Sequence, residues 1–257
     1  MKEMEVRYSD GEGGTLVGYA MMSKDNSTKL PGLLVFPGPY GDGGGKYERE
    51  VARKYAKKGF AVFLPDYFPT RNSENNATEL LASIGGYAPF LANSSKAQMI
   101  AKLGYDQLAQ MPMVDANKIS AIGFCFGGSM ALNLARSGAK LLAAVSLHGE
   151  YPALEPKIGF NGATGKYDTR VFVEMVGLRD PLIPETARKN WVSELTARTN
   201  GTNNTFKFIV YPNATHAFSI KYSPTFLNVS AGAWAVLSGL RCLGELGEEI
   251  CGAGRRS

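Results

Sequence analysis

The chain has 257 residues, 44% of them apolar and 20% charged, the profile of a globular protein able to fill a two-sided core. Its net charge is +5, but the densest basic cluster, Lys46 to Lys58, is interleaved with Glu48 and Glu50, so no nucleic-acid partner is expected. Three cysteines, Cys125, Cys242 and Cys251, are too few and too odd for a disulfide framework, and no apolar run approaches membrane-spanning length.

In chain order, Glu5 to Tyr8 and Leu16 to Met22 read as strands joined by a Gly-rich turn, an antiparallel edge. Gly32 to Phe36 is an unbroken apolar run, as in a strand buried on both faces, and it ends in a loop of Gly and Pro from Pro37 to Gly45. A helix is expected over Lys46 to Lys58, then a strand over Phe60 to Leu64 closed by Pro65 and Asp66. Thr70 to Asn76 is a polar loop, and Ala77 to Met111 holds one or two helices broken near Gly85, Gly86 and Pro89. After the stretch around Cys125 come a strand over Leu141 to Leu147, an irregular segment to Thr169, and a strand over Arg170 to Val176. A helix over Pro184 to Thr199, a strand over Thr205 to Tyr211 and a closing helix from Phe226 to about Leu246 complete the chain. Strands alternating with helices predict a mostly parallel, doubly covered sheet, and no linker divides the chain into more than one domain.

The chemistry concentrates where a strand ends at Gly123-Phe-Cys-Phe-Gly127-Gly128 and a helix begins with Met130, Ala131, Leu134 and Ala135 at helical spacing. Strand, Gly-x-Cys-x-Gly, helix is the nucleophile-elbow arrangement, with Cys125 where Ser is more usual. The helix N-terminus favours a thiolate there. Active groups of such sheets sit just past strand C-termini. Asp180 and His216 both do, in the order nucleophile, acid, histidine. A thiol needs a base, and the base needs a carboxylate to fix its tautomer. His148, the other histidine, also ends a strand and is expected on the pocket wall, hydrogen-bonded to backbone. Asp180 could also cap the following helix, and Asp66 is expected to anchor loop backbone.

From about Val6 to Leu243 the sequence resembles the dienelactone hydrolase family of α/β-hydrolases. The segments that carry the likeness are Pro31 to Pro37, Phe63 to Phe68, Ile122 to Gly128, Gly177 to Pro181 and His216 to Phe218. The resemblance implies an α/β-hydrolase fold with Cys125 as nucleophile, Asp180 as triad acid and His216 as base. It implies hydrolysis of a small ester or lactone through a thioester, with no metal or cofactor, by a monomer or homodimer. A non-catalytic ligand-binding protein on the same fold is the alternative reading. The oxyanion would be held by the backbone N–H of Phe126 and that of Gly38 or Tyr40, since Pro39 has none to give. Dienelactone-processing members place an Arg four residues past the histidine; here Ile220 stands there with Lys221 beside it, and Arg71 is the candidate replacement. Seven Asn-x-Ser/Thr sequons, including Asn213 just before His216, exceed the roughly two expected by chance. An unglycosylated cytoplasmic protein is expected all the same.

Overall fold

The computed structural model describes residues 1–23, 28–39, 45–68, 93–151 and 167–225. Eight strands and four helices lie among them: β1 (Lys2–Ser9), β2 (Thr15–Met22), β3 (Leu30–Phe36), α1 (Lys46–Lys57), β4 (Ala61–Leu64) and α2 (Ser94–Ala109). These are followed by β5 (Val114–Phe124), α3 (Phe126–Arg136), β6 (Leu141–Leu147), β7 (Thr169–Gly177), α4 (Glu185–Thr199) and β8 (Thr205–Tyr211). All eight strands form one sheet in the order β1-β2-β4-β3-β5-β6-β7-β8. β1 and β2 run antiparallel as the sequence predicts, and β2 also meets β4 antiparallel. The other pairings are parallel.

The β1–β2 turn is closed by Asp10, whose Oδ1 accepts the N–H groups of Glu12 (2.8 Å) and Gly14 (2.7 Å). Period-two alternation then sorts the central strands between two cores. Leu34, Phe36, Ala61 and Phe63 face the side that also holds Ile100, Met130, Leu134 and Trp191 of α2, α3 and α4. Leu33, Val35, Val62 and Leu64 face the side covered by Val51 and Tyr55 of α1. This double cover explains why the strand segments read as continuous apolar runs.

β5 starts earlier than the sequence indicates. Its partner register on β3 slips between Pro31 and Gly32, where Asp115 and Ile119 become successive partners. The intervening residues turn on Asp115, whose Oδ1 accepts the Asn117 N–H at 3.0 Å, so local polarity hides a strand start that pairing with β3 imposes. The helix expected over Ala77 to Met111 is described from Ser94, where Asn93 caps α2 by accepting the Lys96 N–H at 3.0 Å. The closing helix after Phe226 and the loop from Thr70 to Asn76 lie outside the described residues.

A buried ion pair joins the helices on the α3 side. Arg136 at the end of α3 holds Glu194 of α4 through Nε (3.2 Å) and Nη2 (2.6 Å), and the Tyr167 hydroxyl donates to the same carboxylate at 2.5 Å. The two charged side chains are only 3% and 7% exposed. Removing Arg136 leaves the buried Glu194 carboxylate, among the described residues, only the Tyr167 hydroxyl and the more distant Arg198, at 3.6 Å. Arg136→Met is therefore expected to cost about 3 kcal/mol, read as a lower urea midpoint at unchanged slope.

Candidate active site

Three strand ends bring Cys125, Asp180 and His216 together. Cys125 closes β5 and opens α3 with φ +54° and ψ −126°, a conformation side chains rarely adopt. Its carbonyl accepts the N–H groups of Gly128 (2.8 Å) and Ser129 (3.3 Å), winding the first turn of α3 directly off the strand. So sharp a reversal leaves no room for a Cβ on either side. One built on Gly123 would lie 1.9 Å from the Gly127 carbonyl oxygen, and one on Gly127 2.1 Å from that of Phe36.

The loops after β7 and β8 are stitched to each other. Leu178 N–H donates to Tyr211 O (3.1 Å) and Arg179 N–H to Ala214 O (3.0 Å), while a Cβ on Gly177 would sit 2.3 Å from that same Ala214 oxygen. This close approach sets Asp180 Oδ2 2.8 Å from His216 Nδ1, and His216 Nε2 then lies 3.0 Å from Cys125 Sγ. The Asp180 side chain is fully buried, and its Oδ1 accepts the Leu182 N–H at 3.0 Å. Asp180 does not cap α4, whose N-cap is Pro184 without a side-chain bond; it holds the preceding turn with one oxygen and the imidazole with the other.

Burial opposes charge on His216, but the hydrogen bonds and negative charges of Asp180 and Cys125 outweigh it and raise its pKa to about 10. Burial drives His148 the other way, to about 3, with the nearby His216 reinforcing the shift. His148, expected on the pocket wall, lies fully inside the protein. Glu150, two residues on, is half-buried. Burial raises its carboxyl; His216 opposes that shift and Asp180 adds to it.

Of the residues expected to cradle an oxyanion, Phe126 begins α3 beside Cys125, and Gly38 N–H donates to Glu48 Oε1 at 3.2 Å. Tyr40 and Arg71 fall outside the described residues. Ile220 is half-buried, and the Lys221 ammonium lies 5.7 Å from the ring centre of Tyr222. Asp66 holds loop backbone, Oδ1 accepting from Tyr67 (2.8 Å) and Phe68 (3.2 Å) and Oδ2 from Val17 (3.0 Å). Sequence reasoning missed Glu48, Tyr67 and Ser219. The Tyr67 hydroxyl donates to Pro37 O at 2.9 Å and its ring stands edge-on to Phe126 at 5.1 Å, bracing the loop after β3 against the elbow. Glu48 had one faint signal, an acid in the first turn of a helix that follows a glycine loop; Ser219 had none. Among the described residues no group of three or more His, Cys, Asp or Glu could hold a metal ion, and no helix is long and apolar enough to cross a membrane.

The two histidines should be separable by NMR, because one titrates high and the other not at all between pH 5 and 8. His216, raised from 6.5 to about 10, contributes stability that is complete below pH 6.5 and is lost as pH rises through 10. His148, lowered from 6.5 to about 3, contributes stability present above pH 6.5 and lost as pH falls toward 3. Asp180→Asn is expected to bring the His216 Hε1 titration down by several units, leave His148 silent, and flatten the stability profile between pH 6.5 and 10. An unchanged His216 titration in that variant would contradict the assignment.

The dienelactone hydrolase family model matches residues 16–241. A solved structure named m3DLH is 28% identical and superposes with a TM-score of 0.74 over 93% of this chain and 96% of its own. A dienelactone hydrolase-like promiscuous phosphotriesterase from metagenomic libraries is 26% identical, with a TM-score of 0.73 over 95% of this chain and 98% of its own. A curated relative from Bradyrhizobium sp, named "Probable 2-oxo-3-(5-oxofuran-2-ylidene)propanoate lactonase", is 24% identical across 80% of this chain and 81% of that protein. The strand order and the sequence match from β2 onward agree: the chain belongs to the dienelactone hydrolase family of α/β-hydrolases.

Proposed function

We propose that this hydrolase cleaves carboxylic esters or lactones through a thioester formed on Cys125. The observation that carries the reading is the continuous chain from Asp180 Oδ2 through His216 to Cys125 Sγ, at 2.8 and 3.0 Å. Asp180 accepts a hydrogen bond from Nδ1–H, so Nε2 faces the sulfur and shares a proton with it. That proton rests on Nε2, as the raised pKa of His216 requires, and Asp180 favours the imidazolium. The thiolate attacks the carbonyl carbon, and the oxyanion gathers on the Phe126 N–H at the start of α3 and a donor from the loop after β3. With Gly38 N–H given to Glu48, Tyr40 is the stronger choice for that second donor.

Collapse breaks the carbon–oxygen bond, and the leaving alkoxide takes the proton from Nε2. In a lactone the alcohol stays tethered to the acyl group. Water, deprotonated by His216, then attacks the thioester; the acid leaves and the thiol regains its proton. Every proton moves through His216, so the cycle calls for no metal or redox cofactor.

Cys125→Ala is expected to abolish turnover of p-nitrophenyl acetate while folding is kept, and mass spectrometry of wild type should trap one acyl group on Cys125. Asp180→Asn should lower kcat by about 10³- to 10⁴-fold. Retention of more than a few per cent of activity in Cys125→Ala would refute the thiol mechanism. Absence of turnover in wild type as well would favour the non-catalytic ligand-binding reading.

The substrate reading follows from charge. A substrate carboxylate needs a fixed cation, best a bidentate Arg. Ile220 offers none, Lys221 lies over Tyr222, and Arg71, the remaining candidate, stands in a stretch whose polar sequence reads as a surface loop. Neutral short-chain esters should therefore match or exceed carboxylate-bearing counterparts in kcat/KM. Matched ester pairs at low and high salt check this, and a tenfold preference for the acidic member at both would overturn it.

A further inference from the structure

Among the described residues, three that are not glycine have a left-handed backbone: Cys125 (φ +54°), His148 (φ +44°) and Ala217 (φ +60°). Strained backbone of this kind persists only where the surroundings enforce it. The first carries the proposed nucleophile and the third follows the proposed base, but His148 touches neither reacting atom. Its contacts say what the strain holds in place. His148 N–H donates to Met175 O at 2.8 Å, fixing the turn at the end of β6. The turn sends the imidazole back toward the elbow, where Nδ1 accepts the Cys125 N–H at 3.1 Å, a donor it shares with Leu147 O at 3.0 Å.

That bond settles the tautomer of the neutral ring: the proton is on Nε2 and is donated to Ser219 Oγ at 2.7 Å. Ser219 belongs to the His216 loop, and its carbonyl accepts the Tyr47 hydroxyl of α1 at 2.9 Å. The ring also stands edge-on to His216 at 5.2 Å and to Phe218 at 5.3 Å. Its full burial makes the link rigid.

We propose that His148 is a positioning residue: a buried, hydrogen-bonded bridge that ties the backbone of Cys125 to the loop carrying His216. The inference rests on the reading of those two residues as nucleophile and base. It makes His148 neither a substrate-binding group nor a second base. Without the bridge, two loops from opposite sides of β6 lose a direct tie to each other, and a misplacement of an ångström is enough to cost a large factor in rate.

His148→Phe fills the space but breaks both hydrogen bonds. It is expected to lower kcat about tenfold with KM within about twofold. Peptide-level mass spectrometry of iodoacetamide labelling at one fixed pH should show Cys125 alkylation slowing severalfold as the sulfur loses its alignment with His216 Nε2. His148→Asn tolerates the left-handed backbone and places an acceptor near the Nδ1 position, so it should recover most of the lost turnover and alkylation rates. Ser219→Ala leaves every ring in place and should move both readouts the same way by a smaller factor; it carries the test should His148→Phe fail to fold. Wild-type kcat and alkylation rate in both His148→Phe and Ser219→Ala, or a loss in His148→Asn as large as in His148→Phe, would overturn the proposal. Cys125 alkylation reports geometry even without turnover, so failure of the bridge and failure of the thiol mechanism give different results.

Discussion

The tightest constraint in this molecule is the reversal at Cys125, where β5 becomes α3 across one left-handed residue. The helix N-terminus is brought against the side chain because no residue separates them; Gly123 admits no Cβ against the backbone of α3, and Gly127 none against the end of β3. The rest of the sheet is organised to make this geometry tolerable. β5 lies between β3 and β6 at the centre, clamped by parallel pairing on both sides, and α3 is buried along its whole length. Neighbouring loops are braced onto the reversal by Tyr67 from one side and His148 from the other.

Electrostatics at the site divide two identical side chains into opposite states. His216 stands at a half-open position with a buried carboxylate behind it and a thiol before it, and it favours its proton. His148, close by, faces a backbone N–H and a hydroxyl, and burial keeps it neutral. Two cations this near each other in a buried setting would repel, so the neutrality of one histidine is part of what permits charge on the other. The acid, meanwhile, gives only one of its oxygens to the imidazole. The other goes to Leu182, which fixes the angle at which the carboxylate meets the ring.

Much of this was legible in the sequence because the signals were local. Apolar runs marked the strands, and the glycines around Cys125 marked the reversal. Asp180 and His216 stood just past the strand ends where a sheet of this kind presents its chemistry. What stayed hidden depends on register and on contacts between distant segments. The early start of β5 is set by pairing with β3 rather than by its own polar residues. Glu48 reaches Gly38 across the loop between them, and Ser219 meets His148 from 71 residues away. His148 shows the difference most clearly: the sequence shows that it ends a strand, but only the left-handed turn after Leu147 decides that its ring faces inward.

The way the site is assembled bears on how the protein acquires activity. Cys125, Asp180 and His216 come from β5, β7 and β8, and β6 stands between the first of these and the others. Parallel neighbours cannot be joined by a hairpin, so each pairing closes a long stretch of chain before it gains a contact. On refolding, helical signal can return while the β5-to-β8 half of the sheet is incomplete, and at that stage Cys125 and His216 have not met. Esterase activity is therefore a late reporter of folding, and its recovery should lag behind circular dichroism.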